Sequence, residues 1–133
     1  MRFLLVGVAL ATAGLLGLSA TAAPTPKPKT AGERAFMKCF ACHSVDPKEK
    51  TLAGPSLYRI VGRKVASLPG YNYSPAMRSF AKKNPKWTKP MLDRFVTNPD
   101  ALVHGTNMPF AGVKDPKERA ALIAWLAAPT TAK

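Results

Sequence analysis

Acidic side chains are scarce in this chain: seven Asp and Glu stand against 20 Lys and Arg, a formal net charge of +13 over 133 residues. An excess of that size bears on solubility and on the charge of partners, not on the fold. Cysteine is scarcer still. Two cysteines exclude a dense disulfide framework and any four-cysteine zinc or iron–sulfur site held by one chain. What remains for them is one disulfide, redox work, part of a metal site, or a covalent attachment. No stretch alternates polar and apolar residues for long enough to make a strand, and no internal repeat is present. Beyond residue 22 no run is long and apolar enough to cross a membrane. The length suits one domain. With 47% apolar and 20% charged residues, that domain is a folded one.

Residues 1–22 have the form of an export signal. Arg2 gives a positive start, an apolar run extends from Phe3 to Leu18, and Ala20-Thr21-Ala22 is a small-x-small cleavage pattern. Cleavage after Ala22 predicts a mature chain of 111 residues working outside the cytoplasm, most simply in a bacterial periplasm. With Arg2 gone, 19 basic residues face 7 acidic ones, a formal +12. An uncleaved membrane anchor is the competing reading of the same run. Residues 23–29 hold three prolines and two lysines and read as an extended leader.

The folded domain is predicted over residues 30–128, with a short tail at 129–133. Thr30 and Glu33 form a capping box for a first helix carrying Ala35, Phe36 and Cys39. Residues 44–72 are rich in turn formers and read as loop. Ser74-Pro75 opens a short second helix. Thr88 opens a third, with Met91, Leu92, Phe95 and Val96 on its apolar face, ended by Asn98-Pro99. Asp115-Pro116-Lys117-Glu118 opens the last, which repeats apolar residues at Leu122, Ile123, Trp125 and Leu126. The fold class is all-α, with short helices and long loops. Helices this short need something to pack on, and a large apolar cofactor is a natural missing core.

Cys39-Phe40-Ala41-Cys42-His43 is the C-x-x-C-H attachment signature of c-type haem. Residues three apart share a helix face, so both thiols reach the two vinyl groups of one porphyrin, and the adjacent His43 reaches the iron. A thioredoxin-like C-x-x-C needs a βαβ surround that is absent, and a disulfide closing so small a loop adds little stability. Candidates for a second axial ligand are Met37, Met77, Met91, Met108 and His104. Met37 lies too near Cys39 to cross to the other haem face. Met91 sits on an apolar helix face, and nothing around Met77 suggests ligation. Met108 lies in the Gly- and Pro-bounded stretch Gly105–Gly112, a loop able to present one sulfur, and is the predicted ligand. His104 reads as an exposed loop histidine, with a ligand role only as an alternative or at high pH.

From Gly32 to Leu126 the chain resembles the class I c-type cytochromes, the small single-haem proteins that include mitochondrial cytochrome c and its bacterial relatives. The resemblance rests on C-x-x-C-H, Gly54-Pro55-Ser56-Leu57, Pro69-Gly70-Tyr71-Asn72-Tyr73 and Met108-Pro109-Phe110-Ala111-Gly112 in that order. It implies one haem c, tethered by Cys39 and Cys42 and ligated by His43 and Met108. It also implies that the Pro55 carbonyl takes the other ring proton of His43. Arg63, Tyr73 and Trp87 would neutralise or hydrogen-bond the haem propionates. Gly32 and Phe36 would pack on the last helix through Leu122 and Trp125. Two departures stand out: Phe95 where many relatives have tyrosine, and Met77 where asparagine is frequent. Both predict a drier pocket and a Met108 ligand more easily displaced at high pH.

An iron with both axial positions filled transfers single electrons and binds no substrate, so the chain is predicted to be no enzyme. Lys38, Lys48, Lys50, Lys64, Lys82, Lys83, Lys86, Lys89 and Lys114 are available to steer it toward acidic docking faces. Such partners would be a membrane oxidase, a cytochrome bc-type complex, a photosynthetic reaction centre, or a periplasmic dehydrogenase or reductase, met by a monomer. Export and the absence of any nucleic-acid motif weigh against DNA or RNA. A haem-based gas or redox sensor, a weak peroxidase, or a dedicated acceptor subunit of a dehydrogenase are the alternative readings.

Overall fold

The computed structural model describes residues 30–48 and 52–128. The proposed signal, leader and tail, and Lys50, lie outside them. Each of the five helices among the described residues starts at a side chain that closes it. Thr30 accepts the Glu33 N–H while Glu33 returns a bond to the Thr30 N–H at 2.7 Å, completing the predicted capping box of α1 (Ala31–Phe36). Ser74 caps α2 (Pro75–Lys83), Thr88 caps α3 (Lys89–Thr97) and Asp115 caps α5 (Pro116–Ala127). Each of these three has proline in its first two positions, where the missing N–H costs nothing.

Two boundaries differ from the sequence reading. A further four-residue helix, α4 (Pro99–Leu102), follows α3 directly. Asn98 serves both, donating its N–H to Arg94 at the end of α3 and accepting the Ala101 N–H with its side chain. At four residues, α4 is too short for any apolar period to reveal. Cys39, in turn, is not carried on α1. After Phe36 the chain tightens into i→i+3 bonds, Lys38 N–H to Ala35 O and Cys39 N–H to Phe36 O, and successive turns replace the helix.

The centre of the fold is the crossing of α1 and α5. It is close because Gly32 has no side chain: a Cβ there would lie 2.7 Å from the Ala121 carbonyl and collide with Trp125. Phe36 then packs its ring 4.9 Å from that of Trp125, and Leu122 is fully buried beneath them. A side chain removed from water to that extent contributes about 1.5–3 kcal/mol. Arg119 joins α5 to α3 by an ion pair with Asp93 at 2.8 Å.

The loops are tied by backbone bonds rather than sheets, and no strand occurs among the described residues. Gly54 N–H donates to Cys42 O and Leu57 N–H to Ser44 O, both at 2.7 Å. One antiparallel contact joins residues 62–65 to 85–87 through a lone bridge between Lys64 and Lys86. Gly112, at φ 92°, passes the end of α3 so closely that a Cβ would strike the Thr97 carbonyl. The next residue, Val113, donates to Val96 O at 2.8 Å. These contacts hold the Met108 loop against α3.

Candidate functional site

The helices and loops surround a cavity of about 470 Å³, within the range of cofactor pockets. Much of its wall is apolar: Ile60, Leu92, Phe95, Leu122 and Leu126, together with Met77. Cys39, Cys42, His43, Pro55, Arg63, Tyr73, Trp87 and Met108, all singled out in the sequence, line this one cavity. They come from positions 69 residues apart at the extremes, Cys39 and Met108, so only the fold brings them together.

The turns after α1 present the first group. Cys42 and His43 both donate their N–H to Cys39 O, at 3.0 and 2.9 Å, which curls the C-x-x-C-H segment onto itself. The two cysteines are not joined to each other; Cys39 is buried and Cys42 exposed. Burial raises the Cys39 thiol to about 11, so it stays protonated at neutral pH. His43 is 7% exposed. Its Nδ1 lies 2.7 Å from the Pro55 carbonyl. A carbonyl only accepts, so the proton is on Nδ1 and Nε2 keeps its lone pair. Burial lowers the His43 pKa below 6.5, more than the Pro55 bond raises it. A neutral imidazole with a free Nε2 is the form that binds a metal.

Of the five candidates for a second ligand, two reach the cavity, Met108 and Met77. Met37 is exposed on the surface. Met91 faces a separate hollow with Arg94 and Asn84. His104 is solvent-exposed and pairs with Asp100 at 3.1 Å. Met77 is held in the first turn of α2, where its N–H donates to Ser74 Oγ at 3.0 Å. Met108 lies in the loop before Gly112, with its own carbonyl accepting from Phe110 N–H.

Arg63, Tyr73 and Trp87 supply polar groups to the wall. The Arg63 guanidinium donates to Ser56 O at 2.6 Å and Tyr58 O at 3.1 Å. Burial lowers its pKa, yet a guanidinium remains a cation at neutral pH. Burial also raises the Tyr73 phenol, whose oxygen accepts from Leu68 N–H. Trp87 packs its ring 5.1 Å from that of Phe95, tilted by 54°. Sequence reasoning passed over Tyr71, whose ring lies 4.7 Å from Tyr73 and whose hydroxyl donates to Ala53 O. It also passed over Asn107 in the cavity wall; its place beside Met108 was the available signal. Among the lysines, Lys38 is taken up by Glu118 at 2.7 Å and Lys114 donates to Thr97 O.

The donor set fits a haem c: two unlinked thiols, a neutral imidazole, a soft thioether and a largely apolar cavity with the half-buried Arg63 cation on its wall. The sequence model of the Cytochrome c family matches residues 30–128. Cytochrome c2 of Rhodomicrobium vannielii is 40% identical over 127 residues, covering 96% of this chain and 94% of that protein. Cytochrome c2 of Blastochloris viridis is 36% identical, covering 85% and 87%. Among solved structures, cytochrome cH from Methylobacterium extorquens superposes with a TM-score of 0.64 at 38% identity, over 72% of this chain and 93% of that one. Cytochrome c2 from Rhodospirillum centenum gives 0.67 at 31%, over 71% and 92%. The chain is therefore a member of the cytochrome c family, of class I.

Proposed function

We propose that the chain is an exported one-electron carrier whose haem iron is ligated by His43 and Met108. The family binds haem c covalently through a cysteine pair, here Cys39 and Cys42, and its members are electron carriers, in general not enzymes. The observation that carries the ligand assignment is the His43–Pro55 hydrogen bond at 2.7 Å on the wall of a cavity that Met108 also lines.

The haem supplies a one-electron couple. The chain's residues hold it: Cys39 and Cys42 as tethers, His43 as a ligand oriented by Pro55, Met108 as the second ligand. A neutral thioether paired with an imidazole favours the reduced iron and raises the potential. Arg63, Tyr73 and Trp87 are assigned to the propionates, the Arg63 cation offsetting their negative charge. Leu92, Phe95 and Leu126 keep water from the iron, which lowers the reorganisation that accompanies a change of charge.

Export with cleavage after Ala22 puts the protein in the periplasm; no helix among the described residues is long and apolar enough to cross a membrane. Its partners are redox proteins with acidic docking faces: an oxidase, a bc-type complex, a reaction centre or a dehydrogenase or reductase. Contacts of that kind are small and transient. The deciding experiment is the absorption spectrum of the oxidised holoprotein and its response to carbon monoxide after reduction. A far-red iron–thioether band with no carbon monoxide adduct at neutral pH supports the carrier. An adduct formed at neutral pH would make it a sensor.

A further inference from the structure

Positive charge is unevenly spread along the chain. From Arg59 to Arg94 nine basic residues face a single acid, Asp93, whereas residues 30–58 and 95–133 each hold four basic and three acidic residues. Asp93 is itself taken up by Arg119 of α5. Within this stretch the backbone forces two lysines together. Lys64 and Lys86 are the paired residues of the antiparallel bridge. The bonds on either side, Trp87 N–H to Arg63 O at 2.9 Å and Val65 N–H to Pro85 O at 3.1 Å, make theirs the narrow, non-hydrogen-bonded type of pair. There the Cα atoms are roughly 4.5 Å apart and the side chains closest. Like charges directly opposite destabilise such a contact.

The juxtaposition is rigid. Trp87, next to Lys86, is buried. Lys64 O accepts from Ser67 Oγ at 2.7 Å, and Ala66 turns the chain at φ 51°. Both lysines are exposed, and no ion pair among the described residues engages either. Arg63, the residue before Lys64, spends its guanidinium on Ser56 and Tyr58 carbonyls. Two lysines on one face of a bridge, neither in an ion pair among the described residues, are complementary to a compact oxyanion, which would bond to both and remove their repulsion.

We propose that Lys64 and Lys86 form a clamp for a multivalent oxyanion of the phosphate class. Their chain neighbours Arg63 and Trp87 line the central cavity, so the bound charge lies beside its wall. Resting on the haem reading above, an anion there favours oxidised iron and lowers the reduction potential.

The test is calorimetric titration of the holoprotein with pyrophosphate at low ionic strength, comparing Lys64→Gln/Lys86→Gln with Lys82→Gln/Lys83→Gln, which loses the same charge. Removing two charge-assisted bonds weakens binding by tenfold or more, on the order expected for such bonds, and the control pair changes it far less. Without ligand, Lys64→Gln/Lys86→Gln melts at a higher temperature than the parent at low salt, because the repulsion is gone. Vesicles containing phosphatidic acid separate the sources: dependence on the lysine pair with vesicles alone assigns the clamp to a headgroup, and with free pyrophosphate to a soluble anion. No binding of either probe, or equal weakening in both variants, overturns the proposal. Saturating pyrophosphate lowers the potential of the parent and not of Lys64→Gln/Lys86→Gln. Calorimetry stands whether or not the haem ligation is as assigned.

Discussion

His43 and Pro55 share a hydrogen bond that settles the state of the imidazole: Nδ1 donates to the Pro55 carbonyl across 2.7 Å. The bond fixes the tautomer, and burial holds the ring neutral below its ordinary 6.5. The unfolded chain therefore binds a proton at His43 before the folded one does. Stability is fully present above about 6.5 and is lost as pH falls through the lower folded value. Iron ligation acts in the same direction, since a proton on Nε2 competes with the metal. Asp100, held below 3.8 mainly by the Gly105 N–H and then by His104, shifts stability the same way at still lower pH. Guanidinium unfolding midpoints at fixed ionic strength should fall on acidification below about pH 6.5; a midpoint unchanged down to about pH 5 counts against the His43 shift.

Gly54 stands against the same ring. A Cβ there would lie 2.7 Å from His43 Nδ1 and 2.8 Å from Nε2, with backbone on one side and a buried ring on the other. Gly54→Ala should cost about 1–3 kcal/mol, as overpacking does, and should disturb the low-spin haem spectrum as the imidazole is pushed aside. Denaturation and the absorption spectrum of one variant read both effects. An undisturbed spectrum would mean that the ring has room to move.

Met108 and Met77 both reach the cavity, and their alanine variants separate ligand from packing. Met108→Ala should abolish the far-red iron–thioether band and lower the potential. Met77→Ala, at a site 7% exposed, should keep the band and lose about 2–5 kcal/mol of stability. If the band disappears with Met77 instead, the ligand assignment is wrong.

Two ion pairs on α5 should differ in weight. Arg119 bonds Asp93 at 2.8 Å and also donates to Val113 O and Lys114 O, with a side chain 13% exposed. Arg119→Ala leaves those carbonyls without their donor and should destabilise by about 2–3 kcal/mol. Arg119→Lys should rescue little, because an ammonium cannot replace the planar fork. Lys38–Glu118, at 49% and 28% side-chain exposure, should matter by at most about 1 kcal/mol. Similar losses from Lys38→Ala and Arg119→Ala would refute the ranking.

Much of this was legible locally. Thr30, Ser74, Thr88 and Asp115 cap the helices predicted from them, because a cap needs only neighbours within three residues. The Cys39–Cys42–His43 spacing likewise names its cofactor without a fold. Less legible is α4, since Asn98 reads as a stop and also acts as a start. The end of α1 was missed by a few residues, where i→i+3 turns keep the chain coiled without continuing the helix. In the sequence nothing around Met77 suggests ligation. The structure nevertheless brings it to the cavity wall, because α2 folds back over a loop whose path no periodicity describes.

Residue order alone determined the tether, the caps, the charge and the family to which the motifs point. The tertiary structure decided which charges are free and which residues share the cavity. Lys38 and Lys114 looked like members of a docking ring, and Glu118 and the Thr97 carbonyl occupy them. Lys64 and Lys86, 22 residues apart, became neighbours through a bridge in which neither forms part of a strand. Local signals arise from bonds between residues a turn apart; pairings like these depend on loop paths, and those are set only when the apolar residues of distant segments close around one core.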